Sequence, residues 1–349
     1  MNRLIKKVLF YVDAAFYLFA VLVMTALLSL LSCQATEEQS IPDIEQTLES
    51  PPFAALTDSI RQFPEDATLR LQRAVSLSQH NLHKFATADY RKAWEILGNE
   101  DVALQYISNL LLVNELPRAI DLLREAAQKF PENTEFNRRL GELYTQNGQL
   151  EEGLEQYDRI IDKDSTNFEA WFDRGTLLAR MKDTAGAIAS LETSFALLPI
   201  NYSGIPLANL YISRKDPRAV EVCNILLAKD SVEVQAEPVF MKGVYYAEVK
   251  DYDKALSLFD ECIKRDWKMT EAYIEKGIIL FEQKKYNEAM KVFTLAGTVS
   301  NSDADVYYWL GRCFEATGDR ENARANYQRA FALDDTFLEA RDGIKRMDG

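Results

Sequence analysis

Histidine is almost missing from this sequence: of 349 residues only His80 and His83 carry an imidazole. Proton transfer near neutral pH and imidazole-ligated zinc therefore have few residues to work with. The three-residue spacing of the pair would suit a metal, but no further ligand accompanies it, and both fall in a predicted loop. Basic residues are also in the minority, 40 against 54 acidic, and the net charge of -14 repels phosphate backbones, which excludes nucleic acid as a natural partner. Glycine and proline are scarce, at 14 and 10, which favours helices over turn-rich β structure. There is no C-x-x-C pair among Cys33, Cys223, Cys262 and Cys313. The last three sit among apolar residues at helical spacing, where a free thiol behaves as a small buried hydrophobe. No phosphate-cradling Gly-rich loop, G-x-S-x-G elbow or H-E-x-x-H is present. Carboxylate pairs such as Glu151-Glu152 and Asp334-Asp335 fall in turns, where helix capping accounts for them. The expectation is a protein without catalytic residues, metal or cofactor.

What is present begins with an address. Arg3, Lys6 and Lys7 precede a mostly apolar stretch from Val8 to Leu31, which ends in Leu30-Leu31-Ser32-Cys33. A basic start, an apolar run and a small residue before the cut describe an export signal. The final four residues resemble a lipobox, the motif of bacterial lipoproteins. That resemblance implies cleavage before Cys33 and lipidation of its thiol, with residues 1–33 acting as signal and membrane anchor. Each buried methylene of the acyl chains contributes about 0.8 kcal/mol to such an anchor. Asp13 within the stretch, and a length close to the ~20 residues that span a bilayer, keep an uncleaved signal anchor as the alternative. Both readings place the body outside the cytoplasm, because the basic end stays inside. Residues 34–66 are acidic and proline-punctuated, without helical periodicity, and are expected to form a flexible tether.

The body repeats itself. Gly141, Gly175, Gly243, Gly277 and Gly311 are spaced 34, 68, 34 and 34 residues apart, and Asn209 stands where the missing member is expected. Around the last glycine the chain reads Tyr307, Leu310, Gly311 and Phe314, then Ala323, Tyr327 and Ala330. Tyr273, Gly277, Ala289, Phe293 and Ala296 recur one period earlier. Period and residue order resemble the tetratricopeptide repeat (TPR), a helix-turn-helix unit of 34 residues. The resemblance implies an all-α superhelical solenoid of about eight repeats over residues 67–335, with a C-terminal capping helix over 336–349. The fifth repeat departs from the pattern: Pro206 lies in its first helix and Lys215-Asp216-Pro217 shortens its turn, bringing Ala219 two residues early.

In arrays of this family the first helices line a concave groove. Applied to this chain, that register implies Phe172, Phe240, Ile274 and Tyr308 as partner-binding residues on an apolar floor, with Glu271 on an acidic rim and Arg138 among the more polar early positions. A helix or extended peptide with apolar anchors and basic flanks would suit such a surface. The paired lysines and asparagines of a dicarboxylate clamp are lacking. The reading is a scaffold for a protein partner in the cell envelope. A substrate- or glycan-capturing surface lipoprotein is the alternative, although no insertion is long enough for a separate ligand subdomain.

Overall fold

A computed structural model describes residues 44–229 and 235–348, and every regular element among them is an α-helix. The chain forms two compact units divided after Pro131. The first holds α1 (Ile44–Leu48), α2 (Ala54–Gln62), α3 (Ala67–Gln79), α4 (His83–Leu97), α5 (Glu100–Leu112) and α6 (Leu116–Lys129). In the second are α7 (Glu135–Gln146), α8 (Leu150–Lys163), α9 (Phe168–Arg180), α10 (Thr184–Leu197), α11 (Asn201–Ser213), α12 (Arg218–Lys229) and α13 (Glu237–Glu248). It continues with α14 (Tyr252–Arg265), α15 (Thr270–Glu282), α16 (Tyr286–Val299), α17 (Ala304–Thr317), α18 (Arg320–Leu333) and α19 (Leu338–Asp348). From α3 to α18 these are eight helix pairs. The expected cap begins two residues late, at Leu338, and ends at Asp348.

Each pair is closed by the same turn. One residue in every intra-repeat turn has positive φ: Asn81, Asn114, Gly148, Lys182, Lys215, Lys250, Lys284 and Gly318. The following N–H then reaches back to a carbonyl near the end of the first helix, as Asp251 does to Tyr246 at 2.9 Å and Asp319 to Phe314 at 2.9 Å. This six-to-one bond satisfies a carbonyl that the helix end leaves without a partner. Asp183, Asp251 and Asp319 then cap the second helices by accepting from Gly186, Lys254 and Asn322 N–H.

Across each pair, one small and one large side chain share a fixed space. A Cβ on Gly243 would lie 2.6 Å from the Phe259 ring, and one on Gly311 2.7 Å from Tyr327. Both rings are fully buried, so the small partner is what admits the large one. Tyr327 also receives the cap, since Gly343 of α19 abuts its other face. The buried Cys223, Cys262 and Cys313 are free thiols, and burial pushes each up to about 12.

Two sequence expectations are corrected. Lys182, Lys250 and Lys284 each follow their repeat's glycine by seven residues, and counting back seven from Lys215 gives Ala208. Ala208 is fully buried and Asn209 is exposed, so alanine, not asparagine, occupies the glycine place of the fifth repeat. The first helix is one residue shorter there and the turn one residue shorter, which together bring Ala219 forward. The second correction concerns the tether. As far as residue 43 it lies outside the described residues, as do Cys33 and the apolar stretch before it. From Ile44 the chain forms α1 and α2, and α2 packs on α3. Phe53, Thr57 and Ile60 are buried, and Thr57 Oγ1 accepts from Arg73 at 3.0 Å. Arg73 in turn grips Asp89 at 2.6 and 2.9 Å. A few apolar residues and one hydroxyl suffice to hold this segment where composition alone reads as solvated.

Candidate partner-binding groove

Within the second unit the first helices form the inner layer. α11 touches α13, α13 touches α15 and α15 touches α17, while the second helices make no contact of that extent with one another. Side chains on the free face of the first helices therefore share one surface.

Phe172, Phe240, Ile274 and Tyr308 are all half-buried on that layer. Phe172 lies on the ring of Tyr202, 3.8 Å between centroids, and Tyr202 is 49% exposed. Phe240 leans on Phe259 at 5.8 Å. Ile274, with Ile278 and Phe281, packs against the cluster built on Tyr307 and Leu310. Tyr308 stands between Tyr327 at 5.9 Å and Phe337 at 4.8 Å. These residues thus pack between repeats on one side and keep the other side open. Glu271 is exposed at the start of α15.

Arg138 is held by its own helix. It donates to both Glu135 oxygens at 2.7 Å and to Glu142, while Arg139 donates to Glu135 at 2.7 Å. The carboxylates around it outnumber the cations. Asp173 on α9 is half-buried, and burial, followed by repulsion from Glu142, pushes its carboxyl up to about 6. Asn133, Glu135, Arg138, Asn167, Glu169 and Asp173 line a cleft of about 190 Å³. Further along, burial and then Glu248 and Glu282 raise Glu275 above the usual glutamate range. Incompletely neutralised acid beside apolar rings is a surface for basic and apolar side chains together.

Three groove residues were missed in the sequence. Tyr202 was hidden by the frame of the fifth repeat: counted from Lys215 it is a second-position residue, and counted from Asn209 it is not. Asp173 lies between the positions that usually face a ligand. Arg312 directly follows Gly311 and was legible from position alone. Among the described residues no group of three or more histidine, cysteine, aspartate or glutamate side chains is placed to hold a metal ion. His80 caps α3, with Nδ1 2.8 Å from Ser76 O, and His83 opens α4.

Comparison with known proteins agrees with this geometry. Tetratricopeptide-repeat family models match residues 110–181, 240–301 and 304–337. The BBSome complex member BBS4 of Bos taurus is 23% identical over 232 residues, covering 64% of this chain and 37% of that one. Tetratricopeptide repeat protein 1 of Schizosaccharomyces pombe is 32% identical over 101 residues, 28% of this chain and 10% of its own. The chain spans well under half the length of these relatives. Among solved structures, the C-terminal part of a TPR repeat-containing protein from Cytophaga hutchinsonii superposes with a TM-score of 0.51 at 15% identity, covering 69% of this chain and 98% of that one. PilW, a widely conserved type IV pilus biogenesis factor, does so with a TM-score of 0.51 at 14% identity, covering 60% and 97%. The segments matched by sequence are the helix pairs seen in the fold, and the chain is a tetratricopeptide-repeat protein.

Proposed function

We propose that the protein is a membrane-tethered, extracytoplasmic scaffold whose first-helix face, over residues 132–349, binds a peptide segment of a partner protein and serves assembly in the cell envelope. The tetratricopeptide-repeat fold commonly mediates protein or peptide binding, and its scaffold members are generally non-catalytic. The observation that carries the reading is the run of half-open apolar side chains from Phe172 and Tyr202 through Phe240 and Ile274 to Tyr308. Asp173, Glu169, Glu271 and Glu275 border it with negative charge. An apolar segment with basic flanks complements both features.

The tether rests on sequence alone. Leu30-Leu31-Ser32-Cys33 supports lipidation at Cys33, and no helix among the described residues is long and apolar enough to cross a membrane. Two measurements test the proposal. Metabolic labelling with a fatty acid should mark the parent protein and not Cys33→Ala; equal labelling of both would sink the lipid anchor. In-cell crosslinking of the intact protein should capture a partner that a folded Phe240→Glu, Tyr308→Glu variant loses. Capture unchanged by the variant would move binding off this face.

A further inference from the structure

The last repeat carries an arginine that the rest of the groove does not resemble. The Arg312 guanidinium lies 5.0 Å from the centroid of Phe281, 5.4 Å from Trp309 and 5.8 Å from Tyr308. It donates one hydrogen bond to Tyr308 Oη at 3.1 Å and has no ion pair among the described residues. Arg138 engages two carboxylates, and Arg346, the other arginine of this cleft, grips Glu315 at 2.8 and 2.9 Å. Asp342, on the far wall, is held by Lys345 at 3.1 Å. Arg312 therefore presents most of its five N–H donors to a cleft of about 500 Å³, a volume typical of ligand sites.

The rings strip water from one side of the guanidinium, which strengthens a charge-assisted bond made on the other side. A carboxylate matches the planar fork with two oxygens. Glu339 stands exposed on the rim, where water and salt screen it, so it opposes such a ligand weakly. The main chain of a bound segment can pass outside this rim while one side chain descends to Arg312 between Phe281 and Tyr308.

Building on the groove reading, we propose that Arg312 receives an aspartate or glutamate side chain of the bound segment. The acceptor end lies at the last repeat, and the unneutralised carboxyls Asp173 and Glu169 lie at the fourth. A segment with basic residues toward one end and an acidic residue toward the other then binds in a single direction.

The test uses the full chain in detergent micelles and three short fluorescent peptides with leucine and phenylalanine anchors and a lysine near one end. One carries an internal glutamate and an amidated end, the second glutamine and an amidated end, the third glutamine and a free terminal carboxylate. Fluorescence anisotropy should show the glutamate peptide binding about tenfold tighter than the glutamine amide. Arg312→Met, which keeps an unbranched stem over the rings, should erase that gap and leave the glutamine amide unchanged. Arg312→Lys should retain part of it, because charge survives and the fork does not. Thermal unfolding confirms that each variant is folded. Equal binding of the two amides, or a gap that survives in Arg312→Met, overturns the proposal while leaving the groove reading intact. Tightest binding of the free-carboxylate peptide reassigns the site to a chain end and equally overturns it. Failure of all three peptides to bind removes the groove reading and this inference together.

Discussion

The fifth and seventh repeats solve the same packing problem with opposite means. In the seventh, Gly277 of α15 leaves room for Phe293 of α16, which is wholly buried. In the fifth, Ala208 of α11 and Cys223 of α12 hold the corresponding places, and both are wholly buried in one cluster. The pair of small groups is matched by a first helix and a turn that are each one residue shorter. Beside it lies an apolar cleft of about 330 Å³, lined by Phe195, Pro199, Leu207, Val222 and Ile225. A repeat of this kind is thus specified less by its glycine than by the shared volume across the helix pair. Ala74 with Tyr90 in the first repeat and Ile107 with Leu123 in the second divide that volume in two further ways.

The largest expected contrast follows from volume. Phe293→Ala leaves a ring-sized hole under Gly277 and should cost about 3–5 kcal/mol, whereas Cys223→Ala removes one sulfur and should cost about 1 kcal/mol. Urea unfolding followed by circular dichroism measures both. Similar losses would show that the two interfaces carry equal packing and break the comparison. The converse substitution sharpens it. Cys223→Phe alone overpacks the fifth repeat by about 1–3 kcal/mol, and adding Ala208→Gly should restore much of the loss. No coupling between the two substitutions would mean that they do not face each other.

How far the sequence could be read follows from the same contrast. The repeats with Gly243, Gly277 and Gly311 announce themselves, because a required glycine leaves a fixed mark at a fixed period. The fifth repeat meets the same requirement with alanine and a one-residue shift, and the nearest polar residue, Asn209, looked like the substitute. That single slip concealed Tyr202, since side-chain direction on a helix changes by about 100° per residue. The segment from Ile44 was illegible for another reason: its order depends on Arg73 and Asp89, far along the chain. Of the groove, Phe172, Phe240, Ile274 and Tyr308 were available from register, but the half-buried Asp173 required knowledge of what surrounds it.

Titration distinguishes the two ends of the comparison more gently. Asp173, facing Tyr202 of the fifth repeat, has its carboxyl pushed up to about 6. Its folded pKa exceeds the unfolded one, so the folded state holds more protons in that window and stability falls as pH rises from about 4 to 6. Glu142 and Glu169 oppose its charge and Arg138 relieves part of it. Asp173→Asn should leave stability nearly unchanged at pH 4 and raise it by about 1–2 kcal/mol at pH 8, after allowance for solvent screening. Glu275→Gln in the seventh repeat should move in the same direction, because burial raises that carboxyl also. A variant whose stability gain at Asp173 is independent of pH would show that the carboxyl is already neutralised by its neighbours.

The smallest contrast lies in the turns. Lys215 and Lys284 both adopt left-handed backbone, with φ of 56° and 61°. A side chain in that region costs about 1–2 kcal/mol, and glycine avoids it while giving back about 0.5–1 kcal/mol in unfolded-chain entropy. Lys284→Gly should therefore stabilise by about 0.5 kcal/mol. At Lys215 the side chain has compensating partners, since Nζ donates to Glu248 O at 2.9 Å and lies 3.7 Å from the Glu248 carboxylate. Replacing it by glycine relieves the same backbone strain and loses a bond from the fifth repeat to α13, so the two effects nearly cancel. Equal gains at both turns in thermal unfolding would show that the Lys215 contact contributes nothing, and that the irregular repeat is joined to its neighbour by packing alone.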